Sequence, residues 1–305
     1  MSNLEKKVPK SFDRFKPHLN RTLALRAFNS CETEINEHFW SFKVISEYSR
    51  FIAEAEKRKD PNKTTAEVFK ASGPDARRIP RTVFEWLDAR EELENWLRLS
   101  ALVSATSYLE LYVRQVVRSA LMSDPLCRFA ASKVLDGVIL LKKGKELPYS
   151  FEIEDVTKGE WNSRLAAFQR IFGPGAAVLT PDISALEKVR KIRNEFAHGF
   201  GRALTVPSPS ASKIEPAQRL THQAFVKHIA VLSKTAAMID KFLLANFIGS
   251  FEIVHYYHEW RSKRRDARDK GFDPIRALQR SFNRDLACVV SGEFCEELIA
   301  YYDAL

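Results

Sequence analysis

From Thr82 to Met122 the pattern of apolar and polar residues stays helical for some 40 residues. At 1.5 Å per residue one rod of that length spans roughly 60 Å, too long for a compact domain of a 305-residue chain. A break or bend is therefore expected near Trp96 to Ser104, where an N-terminal part hands over to a central one. The same stretch sets the fold class. Eleven glycines and 13 prolines are few for this length, and Leu, Ala, Glu, Lys and Arg are plentiful, so helices are favoured over a turn-dense β architecture. An all-α fold is predicted, with apolar material (45%) for a sizeable core.

Ile35, Phe39, Phe42, Ile45, Tyr48 and Ile52 recur at spacings of three and four and predict a long helix from about Glu32 to Lys59, stopped by Asp60 and Pro61. A short helix is expected after Thr64 or Thr65, then a loop at Gly73, Pro74 and Pro80 carrying Arg77, Arg78 and Arg81. Beyond Met122 come a helix near Leu126 to Leu141, a basic turn (Lys142, Lys143, Gly144, Lys145), and a helix from about Lys158 to Phe172 closed by Gly173 and Pro174. Asp182 or Ser184 opens the next helix, SALEKVRKIRNEFAHG, whose Leu186, Val189, Ile192 and Phe196 form an apolar stripe and whose end is marked by Gly199 and Gly201. Thr205 to Pro216, rich in Pro and Ser, reads as a loop. A long amphipathic helix follows from about Gln218 to Ile248, and two further helices, broken by Gly271 to Pro274, complete the chain. These boundaries divide it into an N-terminal helical extension (1–95), a central helical bundle (96–248) and a basic C-terminal extension (249–305).

The formal charge of +9 is concentrated in two segments. Residues 1–30 carry about +5 and residues 261–284 about +6, leaving the remainder slightly acidic, so a polyanion would be drawn to the ends. Solvated helix faces are the plainer reading of the same charges. Cys31, Cys127, Cys288 and Cys295 show no CxxC spacing, and neither a zinc site nor a disulfide framework is expected. The N-terminus lacks the apolar stretch of a secretory signal, and the best membrane candidate, Phe242 to Val254, is short and interrupted by Asn246, Ser250 and Glu252. A cytosolic protein without membrane contact is expected.

One constellation suits chemistry. Asn194 and His198 are four apart and share a helix face, whereas Arg193 and His198 are five apart, about 140° around an ideal helix, so that their convergence needs a distorted last turn. An imidazole can take a proton from a ribose 2′-hydroxyl or give one to a departing 5′-oxygen. An arginine can hold the scissile phosphate and stabilise charge building on its oxygens, and an asparagine can orient either. One histidine serves one of the two proton transfers at a time, and a twin helix across a twofold axis would supply the second. The alternative is that His198 is a C-terminal helix residue favoured by the macrodipole, with Arg193 and Asn194 on the surface.

Other residues carry weaker signals. Glu110 has two readings, orienting Arg193 or pairing with Arg114 one turn on. His255 and His258 in HYYHEW could seat the edge of a metal site, with Glu259 the one carboxylate at suitable spacing; no metal or cofactor is expected. Tyr256, Tyr257 and Trp260 could stack bases beside the phosphate-binding candidates Arg261, Lys263, Arg264, Arg265 and Arg268, or form core beneath a solvated face. Arg190 and Arg202 flank the constellation and are further RNA-binding candidates. No P-loop, GxGxxG, GxSxG or HExxH occurs, which leaves nucleotide hydrolysis, dehydrogenase, esterase and zincin readings unsupported.

The stretch LEKVRKIRNEFAHG resembles the signature helix of the HEPN superfamily, whose ribonuclease members carry Arg-Asn-x-x-x-His near a helix end; matched residue by residue, these fall on Arg193, Asn194 and His198. SATSYLELYVRQVVRSAL is similar to the first core helix of several such domains, with Glu110 in the place of their acidic residue. The resemblance covers roughly residues 96–248 and is tightest over the motif. It implies a HEPN-like bundle of four or five helices that dimerises around a composite, metal-independent RNase site, in a toxin or antiviral-defence role with RNA as substrate and an antitoxin or regulatory partner. Members paired with a nucleotidyltransferase antitoxin often carry Tyr two residues after the histidine; Phe200 stands there in this chain. A non-catalytic helical module binding RNA or protein is the alternative class.

Overall fold

The computed structural model describes residues 12–199, 218–263 and 273–305, the side chains of 178–181 and 198–199 apart. Among them are eleven α-helices and no strand: α1 (Leu23–Lys59), α2 (Thr65–Val68), α3 (Val83–Ser123), α4 (Gly137–Lys142), α5 (Ser150–Thr157), α6 (Trp161–Phe172), α7 (Ile183–Gly199), α8 (His222–Leu243), α9 (Phe251–Ser262), α10 (Pro274–Leu286) and α11 (Gly292–Ala304). The all-α expectation holds. No described helix is long and apolar enough to cross a membrane.

The expected break in the long rod is absent: α3 runs 41 residues without interruption. Its length is accommodated because the chain forms two compact units and α3 belongs to both. Unit 1 comprises Met1–Ala27, Glu110–Ile183 and Thr235–Leu305; unit 2 comprises Phe28–Leu109 and Ser184–Lys234. The boundaries fall inside α1, α3 and α8 rather than in loops.

Unit 1 is organised around a buried cation. Arg14, 2% exposed, donates from Nη1 to Ser123 Oγ (2.5 Å) and the Ile248 carbonyl (3.2 Å), and from Nη2 to the Ser123 carbonyl (3.0 Å). Its Nε lies 3.1 Å from Asp136 Oδ1, an ion pair by distance although not aligned as a hydrogen bond. Asp136 also caps α4 by accepting from Val138 N (3.0 Å) and takes the Tyr301 hydroxyl proton into a hydrogen bond. The last turn of α8 widens into a π turn at Leu244–Ile248, and Gly249 follows at φ +56, where an added Cβ would stand 2.4 Å from the Arg14 carbonyl. Only glycine is free of strain in that left-handed turn.

The start of α1 is fastened by two carboxylates. Asp240 accepts from Thr22 N (3.1 Å) and its hydroxyl; Glu252 accepts from Leu23 N (2.9 Å) and from Ser119 Oγ (3.2 Å). They satisfy amides that no carbonyl of the first helical turn can reach. Burial pushes the Glu252 carboxyl up to about 7.

In unit 2, α1 and α3 meet over a polar line. Ser46 donates to Glu94 Oε1 (2.7 Å) and accepts from Arg90 Nη1 (2.8 Å); Lys43 and Arg98 also reach Glu94. This corrects the apolar stripe expected on α1. The buried line runs through Phe39, Ser46 and Ala53, while Ile45 and Tyr48 are exposed. The small Ser46 makes room for Arg90 and Glu94 of α3. Asn95 fixes the approach to α8 by accepting from Leu220 N (2.8 Å) and donating to the Gln218 carbonyl (3.0 Å).

Elsewhere the elements differ in detail from expectation. α1 begins nine residues before Glu32. The helix expected over 126–141 is reduced to a 3-10 turn (Cys127–Phe129) and α4, because Ala130 and Lys133 adopt positive φ and Asp124 accepts from Lys133 N (3.0 Å). α5 precedes the helix expected from Lys158, and three helices rather than two follow Gly249. The loop expected at Thr205 to Pro216 lies outside the described residues.

Two stability measurements check this account. Arg14→Leu removes the buried cation from its partners, and urea unfolding is expected to show a loss of about 3–5 kcal/mol. Because the folded-state pKa of Glu252 is raised, from its ordinary 4.5 to about 7, the fold is most favoured with this group protonated, and stability falls as pH rises between those values. Glu252→Gln, which keeps an acceptor for Leu23 N, should therefore be close to neutral at pH 5 and more stable than the parent at pH 8, by about 2–3 kcal/mol. Equal effects at both pH values would contradict the assignment.

Candidate functional site

α7 is positioned by its apolar line. Leu186, Val189 and Phe196 are buried, Ile192 is half-buried, and this spacing turns Arg193 and Asn194 partly toward solvent. Arg193 Nη1 donates to Asn194 Oδ1 at 3.1 Å, so the guanidinium and amide are already coupled. The backbone stays α-helical through Gly199, so the distorted last turn that would bring positions 193 and 198 together is not formed. On a regular helix they stand about 140° apart. The side chain of His198 lies outside the described residues, as do Phe200, Arg202, Arg264, Arg265 and Arg268.

The remaining sequence candidates have definite places. Arg190 is held by Glu187 one turn earlier, with both carboxylate oxygens 3.0 Å from Nε. Glu110 pairs not with Arg114 but with Arg164 of α6, whose Nη2 is 3.3 Å from Oε1. Arg164 also donates to the Gly159 carbonyl (3.1 Å) and lies over the Trp161 ring. Arg261 donates to Asp303 and to the Tyr257 hydroxyl (3.2 Å), while Lys263 is exposed, 3.9 Å from Glu259.

The HYYHEW aromatics are used in packing. Tyr257 is buried against Tyr302, the Tyr256 hydroxyl donates to Asp285 (2.5 Å), and Trp260 Nε1 donates to Ser281 (3.0 Å). Burial first, then the bond to Asp285, pushes the Tyr256 phenol up to about 12. His258 Nδ1 meets the Tyr302 hydroxyl at 2.5 Å, and His255 Nδ1 lies 3.5 Å from Glu259. Among the described residues no group of three or more His, Cys, Asp or Glu is placed to hold a metal.

One imidazole escaped the sequence reading. His228 of α8 is half-buried with Nδ1 lacking a hydrogen bond, and burial, aided by Lys227 and Lys188, lowers its pKa. It therefore favours the neutral form. No local signal in QAFVKHIAV distinguishes it from any helical histidine.

No protein-family model, no curated protein and no solved structure matches this chain.

The Glu110 pairing gives a direct test. Glu110→Ala leaves a mostly buried guanidinium short of a partner and is expected to lower unfolding free energy by about 1–3 kcal/mol. A double-mutant cycle with Arg164→Ala should show positive coupling; additive effects would place Glu110 elsewhere.

Proposed function

We propose that the chain is a metal-independent endoribonuclease of HEPN type. The observation that carries this reading is the Arg-Asn-x-x-x-His run at the C-terminal end of α7, with Arg193 and Asn194 partly exposed and hydrogen-bonded to one another above a buried apolar line.

The reaction follows from the residue chemistry. An imidazole base at position 198 takes the 2′-hydroxyl proton, the 2′-oxygen attacks the adjacent phosphorus, and the bond to the 5′-oxygen breaks with protonation of that oxygen. The products are a 2′,3′-cyclic phosphate and a 5′-hydroxyl. Arg193 neutralises charge on the non-bridging oxygens, with Asn194 holding its guanidinium. Two proton transfers need two groups. In this reading a homodimer provides the second Arg193 and His198, which also removes the difficulty of positions 193 and 198 lying about 140° apart on one regular helix. The bundle within 96–248 is of HEPN type in this proposal, the protein works in the cytoplasm as a toxin or antiviral-defence nuclease, and an antitoxin or regulator restrains it.

Purified protein incubated with total RNA should yield fragments ending in 2′,3′-cyclic phosphate, unaffected by EDTA. His198→Ala should lower the rate by about 10²–10⁴ and Arg193→Ala by about 10²–10³, with circular dichroism unchanged. Inhibition by the chelator would refute the mechanism, and binding without cleavage would favour a non-catalytic RNA-binding module.

A further inference from the structure

Beside the buried line through Phe39, Ser46 and Ala53, α1 carries a second line on its solvent side. It advances in steps of three and four from Glu34 and Glu37 through Val44, Tyr48 and Phe51 to Arg58, with small residues at positions 41 and 55. That is the 3.5-residue repeat by which two helices pack along a seam. Its apolar part, flanked by Trp40 and Ile45, is between 47% and 71% exposed. With aromatic side chains each able to bury 150–250 Å², the five residues leave on the order of 600 Å² of mainly apolar surface in water. Each partner in a standard interface covers about 800 Å².

We propose that this face binds the same face of a second copy of the chain, the two α1 helices running antiparallel across a twofold axis at the level of position 46. The charge pattern selects both occupant and direction. The seam is acidic at its N-terminal end and basic at its C-terminal end, so antiparallel pairing sets Glu34 against Arg58, and the twofold repeats the pair. In the same register Val44 meets Tyr48, and Phe51 meets the small residue at 41. A parallel pair would set Glu34 against Glu34 and Arg58 against Arg58. Among the described residues these charges are uncommitted: Glu34 and Glu37 have no ion-pair partner there, and Arg58 donates to the Glu54 carbonyl (3.2 Å) rather than to a carboxylate. The neighbouring Lys43, Glu47, Arg50 and Glu54 are paired with one another or with Glu94 and flank the seam as closed pairs. The seam is scored by association and the nuclease reading by its cleaved product, so a dimer without cleavage and cleavage without this seam are distinguishable results.

Sedimentation velocity of the full chain is expected to show a dimer. Val44→Asp or Tyr48→Lys, both at exposed positions, should shift it to monomer while circular dichroism and thermal midpoint stay at the parent values. Glu34→Arg and Arg58→Glu should each weaken the dimer by about threefold or more, and the two together should restore it. In a Cys31→Ser background, mixed Val44→Cys and Tyr48→Cys chains should cross-link to each other and neither kind to itself. A monomer at high micromolar concentration, a dimer indifferent to Val44→Asp, or self-cross-linking of Val44→Cys would overturn the proposal.

Discussion

A guanidinium shut away from water needs its charge met inside the protein, and Arg14 imposes that condition on unit 1. Its partners come from the end of α3 (Ser123), the π turn after α8 (Ile248) and the cap of α4 (Asp136). Three features that look unrelated in sequence converge on this residue: the widened turn at Leu244–Ile248, Gly249 against the Arg14 carbonyl, and the short α4 opened by Asp136. Leaving such a charge unmatched costs several kcal/mol, so each partner is held as firmly as the cation.

Unit 2 solves the opposite problem. Its long helices meet through small residues and a polar cluster, Ser46 with Arg90 and Glu94, and this arrangement turns the larger apolar residues of α1 outward. A helix whose inner side is partly polar and whose outer side is apolar is specified for two neighbours, one in the chain and one beyond it. α7 belongs to the same unit and follows the ordinary rule, with Leu186, Val189 and Phe196 inside and the polar run outside.

Helix class, the stop of α1 at Asp60 and Pro61, and the span of α7 were legible because they rest on local periodicity and on Pro and Gly signals. The continuity of α3 was not, since nothing in its pattern tells a rod shared by two units from two helices meeting at a bend. The reduction of the helix expected at 126–141 depends on the Asp124 side chain accepting a backbone amide nine residues on. α5 was missed for want of a capping side chain at Tyr149. For the site, the Arg193–Asn194 contact joins neighbours in sequence and could be anticipated, whereas Arg164, which meets Glu110, lies 54 residues away on α6. Spacing along a single helix reports only what that helix can reach.

The hydrogen bond from Arg14 to the Ile248 carbonyl joins residues 234 positions apart. At 5–20 residues per second, a ribosome needs roughly 10–50 s to make the intervening chain. Throughout that interval the cation remains hydrated, and the N-terminal segment has no interior to enter. Assembly of unit 1 therefore waits until the segment through Ile248 has been made, while α1 and α3 precede it in the order of synthesis.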